Sequence, residues 1–145
     1  NQKAVALSDE LKNHVEVNRA PLASALLVRC FLEVTCATYQ HSFNINPHSN
    51  KTSTIAATAA HLLSNKPADA PANYQDLIKS FSEHGAEYSE LSDIAHNTVS
   101  RYSSEHVRAT WNNVGGAIDL IWKIIHDRRV ADNNKKPASK KVNQQ

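Results

Sequence analysis

From Val107 to Ile125 the apolar side chains return at every third or fourth position: Val107, Trp111, Val114, Ile118, Ile121, Trp122 and Ile125. A helix turns once in about 3.6 residues, so this spacing lines one face of a rod about five turns long. A strand would scatter the same residues over both of its faces. The rest of the chain agrees with a helical reading. Nineteen alanines favour helices, because Ala loses no side-chain entropy there. Three glycines and five prolines in 145 residues are too few for the tight turns of a sandwich or barrel. An apolar share of 41% is enough for one buried core. Strand-like alternation is absent, as is any internal repeat. The expected fold is an all-α bundle of about five helices.

The first helix is expected from Ser8-Asp9-Glu10, a hydroxyl cap followed by acids, to about Val17. Pro21 suits a first helical position and opens a long segment to about Phe43. In it Leu22, Leu26, Leu27, Cys30, Phe31 and Val34 form the predicted inward face. Residues 44 to 50, with Pro47, read as a loop. A third helix is expected over Thr52 to Ser64, with Ile55, Ala59, Leu62 and Leu63 apolar. A Pro/Ala/Asp linker, Lys66 to Pro71, breaks the chain. Asn73 is placed to cap a fourth helix carrying Tyr74, Leu77, Ile78 and Phe81, ending near Gly85. Tyr88 to Ser100 reads as a short helix and a loop. Ser103 or Ser104 then caps the last helix, predicted to run to about Asp127. Gly115-Gly116 inside it costs up to about 1 kcal/mol per residue and marks a kink or a close crossing of helices.

Charge divides the chain unevenly. Residues 1 to 127 carry a net −3, and residues 128 to 145 carry a net +5. The domain is therefore expected to span 1–127, followed by a flexible basic tail over 128–145. In that tail Arg128, Arg129, Lys135, Lys136, Lys140 and Lys141 could touch nucleic acid only through phosphate, since no aromatic residue is interleaved for base stacking. No apolar run approaches the roughly 18 residues needed to cross a bilayer, so no membrane partner is expected. A chain that opens Asn1-Gln2-Lys3 without any methionine fits a piece of a longer protein or a processed N-terminus. Cys30 and Cys36, about 600° apart on one helix, cannot form a disulfide and read as small buried residues. Free thiols favour a cytoplasmic setting. The eight histidines show neither a His-x-x-x-His nor a Cys-x-x-Cys companion pattern, so neither metal nor cofactor is expected.

Two local groups suggest chemistry. Arg101-Tyr102-Ser103-Ser104-Glu105-His106 has an Arg and a His separated by four residues, the spacing found in ribonucleases of the HEPN superfamily. There a His acts as general acid or base on a 2′-hydroxyl or leaving oxygen, and an Arg stabilises phosphorane charge. Six arginines and eight histidines also produce such a spacing by chance on the order of once. The plainer assignment makes Arg101 a loop residue and His106 a first-turn residue. His96-Asn97 either anchors a loop through hydrogen bonds to backbone or joins Arg101 in a site. Glu33, between Leu32 and Val34, needs a partner if buried. Arg29 lies one turn earlier, and the His96-Asn97 loop is the other choice.

Three stretches together resemble a group of bacterial helical domains. Leu26-Leu27-Val28-Arg29-Cys30-Phe31-Leu32-Glu33-Val34 is similar to a "LLRVFLEL" helix. Ala95-His96-Asn97, with Ser103 to Trp111-Asn112-Asn113, is similar to a "VHN…PS…AWDNL" segment, and Ile121-Trp122 to its closing tryptophan. These domains are HEPN-like and stand at the C-termini of multidomain proteins in DNA-associated or defence settings. The resemblance implies an accessory domain that oligomerises or docks onto a protein partner. Its alternative is a metal-independent endoribonuclease working through Arg101 and His106, although Tyr102 stands where that pattern has a polar residue. A subunit of a viral or phage assembly would also suit an Asn- and Ala-rich chain.

Overall fold

In a computed structural model the long helix that opens at Pro21 touches every other described helix, and the last helix packs against it. The structure describes residues 2–10, 16–46, 51–89 and 103–135. Among them are five helices and no strand: α1 (Gln2–Asp9), α2 (Pro21–Ser42), α3 (Lys51–Ser64), α4 (Tyr74–Ser89) and α5 (Ser104–Lys135). The all-α bundle read from the sequence is what forms.

Helix α5 begins where expected. The Ser103 hydroxyl accepts the His106 backbone N–H at 3.2 Å, and its carbonyl accepts that of Val107 at 3.1 Å. This satisfies donors that the first helical turn leaves open. Val107, Val114, Ile118, Ile121 and Ile125 are all buried, and Trp111 and Trp122 pack at the edge of the same core. Helix α5 rests on α2 and α4, α3 rests on α4 and α2, and α1 covers part of α2. The core between them is built from Leu32, Tyr39, Leu62, Tyr74, Ile78 and Phe81.

Helix α2 opens on Pro21, and the Ser24 hydroxyl donates back to the Ala20 carbonyl at 2.9 Å. It closes in a Schellman motif. Ile45 N–H reaches the Gln40 carbonyl at 2.9 Å and Asn44 N–H the His41 carbonyl at 3.3 Å, with Asn44 left-handed at φ 54°. Asn tolerates that conformation better than most residues with a side chain. Tyr74, opening α4, donates its hydroxyl to the Leu62 carbonyl at 2.7 Å and so ties α4 to the end of α3.

Several boundaries and faces differ from the sequence reading. The first helix starts at Gln2 and not at Ser8, spans Gln2–Asp9, and sets Ala4 and Leu7 on the core, while residues 11–15 of the expected helix lie outside the described residues. Helix α4 passes through Gly85 to Ser89. Gly85 serves packing there: a Cβ on it would lie 3.3 Å from Ile55 Cγ2 of α3. Gly115-Gly116 neither breaks nor ends α5, and a Cβ on Gly116 would lie 3.1 Å from Leu77 Cδ2, the close crossing of α4 and α5. The inward face of α2 is also rotated. Ala25, Val28, Phe31, Leu32, Thr35, Cys36 and Tyr39 are buried, whereas Leu22, Leu26 and Cys30 are exposed. Cys30 is therefore not a core residue.

Finally, α5 does not end near Asp127. It continues to Lys135, so Arg128 and Arg129 belong to the helix and not to a flexible tail. The i,i+4 pairs Lys123–Asp127 and Arg128–Asp132, at 3.0 and 3.2 Å, support this extension, as does the Arg128 guanidinium over the Phe43 ring. Helix α2 also proves long and apolar enough to cross a membrane by length and composition, with a mean hydropathy of 1.4 over its best window. Half of that window is buried inside the bundle, as in the core helix of a globular domain.

Candidate functional site

Of the residues proposed for catalysis, Arg101 lies outside the described residues, as do His96 and Asn97. His106 is exposed on the first turn of α5, its backbone N–H held by Ser103. The Arg29–Glu33 pair forms as expected, with Nε 3.0 Å from Oε1. Arg29 is mostly buried and Glu33 half-buried, so this one-turn pair shields a carboxylate on an otherwise apolar helix. Of the basic residues, Arg128 is engaged by Asp132 and Phe43, and Arg129 is exposed on α5. Lys135 ends the helix, and Lys136, Lys140 and Lys141 lie outside the described residues.

The buried polar groups serve packing. Gln40 donates from Nε2 to the Thr54 carbonyl at 3.1 Å and to Thr58 Oγ1 at 3.3 Å, joining α2 to α3. Trp122 Nε1 donates to Thr35 Oγ1 at 3.2 Å, joining α5 to α2. Thr35 in turn donates to the Phe31 carbonyl at 2.8 Å. Among the described residues no buried side-chain nitrogen or oxygen lacks a partner. The Cys36 thiol is fully buried, and desolvation pushes it up to about 12 despite a hydrogen bond with Thr58. A thiol held protonated and away from solvent is no nucleophile. Among the described residues no group of three His, Cys, Asp or Glu side chains stands close enough to hold a metal ion.

Two polar clusters were not foreseen from the sequence. At one end of the bundle the Tyr39 hydroxyl meets His61 Nδ1 at 2.8 Å, and the Phe43 ring stacks on Tyr39 at 4.6 Å. Burial raises the Tyr39 phenol, which keeps it protonated beside the His61 ring. At the linker, Lys123 Nζ lies 2.7 Å from Asp69 Oδ2 and 3.0 Å from Asp127 Oδ2. Lys123 holds the Asp69 carboxyl below the usual carboxylate range, and the two acids raise Lys123. This clamp ties the 66–73 linker to α5 over a shallow hollow of about 390 Å³.

A second open feature lies between α3 and α4. It is a groove of about 590 Å³ floored by Ala56, Ala59, Ala60 and Leu63 of α3 and rimmed by Gln75, Lys79, Ser82 and Glu83 of α4. Helix α3 is thus apolar on two sides. Ile55, Ala59 and Leu62 face the core, while Ala56, Ala60 and Leu63 face outward, Leu63 with 47% of its surface exposed. The sequence held a signal for this, a helix with two adjacent apolar stripes and hardly any charge between Thr52 and Ser64. That chemistry suits burial of another apolar helix better than turnover of a small molecule.

Comparison with protein families, with curated proteins and with solved structures gives no match for this chain.

Proposed function

We propose that this chain is an α-helical interaction domain, an accessory module that oligomerises or docks onto a protein partner. In keeping with its resemblance to HEPN-like domains, we place it in the cytoplasm, in a nucleic-acid-related or defence system. The observation that carries this reading is the second apolar face of α3, which no other described helix covers. A helix apolar on both sides is the mark of an element packed on both sides. The basic residues past Asp127 add phosphate contacts without base preference.

The competing reading is a metal-independent ribonuclease using Arg101 and His106. An exposed His106 is accessible to a substrate, which is the feature that favours it. Incubating the chain with labelled single-stranded RNA and a chelator separates the two. The interaction module leaves the RNA intact at high protein concentration. Cleavage that persists with chelator and disappears in a folded His106→Ala variant would overturn the module and establish the nuclease.

A further inference from the structure

We propose that the α3–α4 groove is the two-fold interface of a dimer formed by two copies of this chain. The proposal rests on the interaction-module reading and names its partner and its surface. The first support is charge. Lys79 and Glu83 stand one turn apart on the α4 rim, and among the described residues neither has an ion pair. A two-fold axis between them sets the Lys79 of each copy against the Glu83 of the other, giving two pairs from one surface. Such self-complementarity is what an isologous interface requires.

The second support is the register of α3 against α4. Ile55 faces Gly85, and Leu62 meets Tyr74, so the two helices run antiparallel. On that register the midpoint of Lys79 and Glu83 is level with Ala59 to within about one turn. The midpoint of Ala56 and Leu63 falls between Ala59 and Ala60. One axis therefore pairs Lys79 with Glu83 and also lays each Leu63 over the Ala56 of its partner. A protruding leucine over an alanine floor is a knob over a hole, and the charges sit at the rim, where a wet interface carries them. The charge pair and the apolar pair are thus both compatible with one two-fold operator. A foreign helix would satisfy the groove but would not require this coincidence.

The test is sedimentation equilibrium of the whole chain from low micromolar to high concentration, with circular dichroism to confirm that each variant stays folded. The wild type should show a monomer–dimer equilibrium that weakens in salt. Lys79→Glu should raise the dissociation constant by about tenfold, because it turns both attractive pairs repulsive. Lys79→Glu combined with Glu83→Lys should restore it, and Ala60→Trp should abolish the dimer by filling the groove. A chain that is monomeric at every concentration overturns the proposal. A dimer indifferent to Ala60→Trp and to Lys79→Glu overturns it as well, while leaving an interaction module that works through another face. Failure of the module reading itself shows separately, as His106-dependent RNA cleavage.

Discussion

Substituting each glycine of the Gly115-Gly116 pair by alanine should change stability differently at the two adjacent positions. Alanine in a helix interior is favoured over glycine by about 1 kcal/mol, partly because the unfolded chain loses fewer states. At Gly115 the new Cβ would lie 3.9 Å from Trp111 Nε1 and 4.0 Å from Trp111 Cε2, an ordinary van der Waals contact. Nothing offsets the gain, so Gly115→Ala should stabilise by about 1 kcal/mol and raise Tm by about 4 °C. At Gly116 the new Cβ would lie 3.1 Å from Leu77 Cδ2 across the α4–α5 crossing. Leu77 must move by a few tenths of an ångström in a packed layer, an overpacking cost of about 1 kcal/mol that cancels the gain. Gly116→Ala should therefore leave stability near the wild type. Thermal and urea unfolding followed by circular dichroism measure both, with an unchanged m-value showing that the folded state is intact. If Gly116→Ala stabilises as much as Gly115→Ala, the two helices do not cross tightly there. If Gly115→Ala destabilises, the space assigned beside Trp111 is wrong.

The two thiols should separate cleanly: iodoacetamide labels Cys30 in the folded chain and Cys36 only on unfolding, as mass spectrometry of quenched samples would show. Because folding raises Cys36 from its ordinary 9.0 to about 12, its contribution is complete below pH 9 and is lost as pH climbs towards 12. Cys36→Ala should therefore flatten that part of the alkaline stability curve, and an unchanged slope would refute the burial argument. Thr35→Val removes the acceptor of Trp122 Nε1 and should cost about 1–2 kcal/mol in urea, with no loss if Trp122 finds water instead. Asp69, lowered by Lys123, contributes above its ordinary pKa and loses that contribution as pH falls through its lower folded value. Amide exchange over 66–71 should accelerate in that acid range, and Asp69→Asn should abolish the pH dependence. If the basic end binds duplex DNA, replacing Lys136, Lys140 and Lys141 by Gln should flatten the log K against log salt slope by about three. Arg128→Ala should change that slope less than any one lysine does.

What the sequence revealed depends on side-chain size. The stripe from Val107 to Ile125 was legible because large apolar residues alternate with polar ones, and each assigned position lies in or against the core. On α2 the inward face is rotated from the expected one, which holds for Phe31 and Val34 but not for its other end. Leu22, Leu26 and Cys30 are exposed, and the core takes Ala25, Val28, Thr35 and Cys36 together with Phe31, Leu32 and Tyr39. The two threonines are not a polar face. Thr35 and Thr38 are buried and return their hydroxyls to the Phe31 and Val34 carbonyls, at 2.8 and 2.7 Å. Hydropathy counts the hydroxyl and misses that bond. The groove escaped for a related reason: Ala56 and Ala60 are as frequent on exposed faces as on packed ones. Only the position of α4 shows that they floor a hollow. The Arg29–Glu33 pair, by contrast, lies within one turn and needed no tertiary information.

Charge and packing then assign different tasks to different ends of the molecule. The net +5 beyond Asp127 does not make a uniform basic arm, because Arg128 is occupied by Asp132 and by the face of Phe43. Phe43 stacks on Tyr39, and Tyr39 is bonded to His61 of α3, so the start of the basic segment is fastened to the same helix that floors the groove. Pulling Arg128 onto a phosphate would break an ion pair and a ring contact that support the last turns of α5. If the chain binds phosphate, the contact would then fall to basic residues other than Arg128. In a dimer closed through α3 and α4, those residues would be present twice, related by the same axis that pairs Lys79 with Glu83. If each copy of such a dimer bound phosphate weakly and without sequence preference, the two contacts together would gain strength through effective concentration without any new bond.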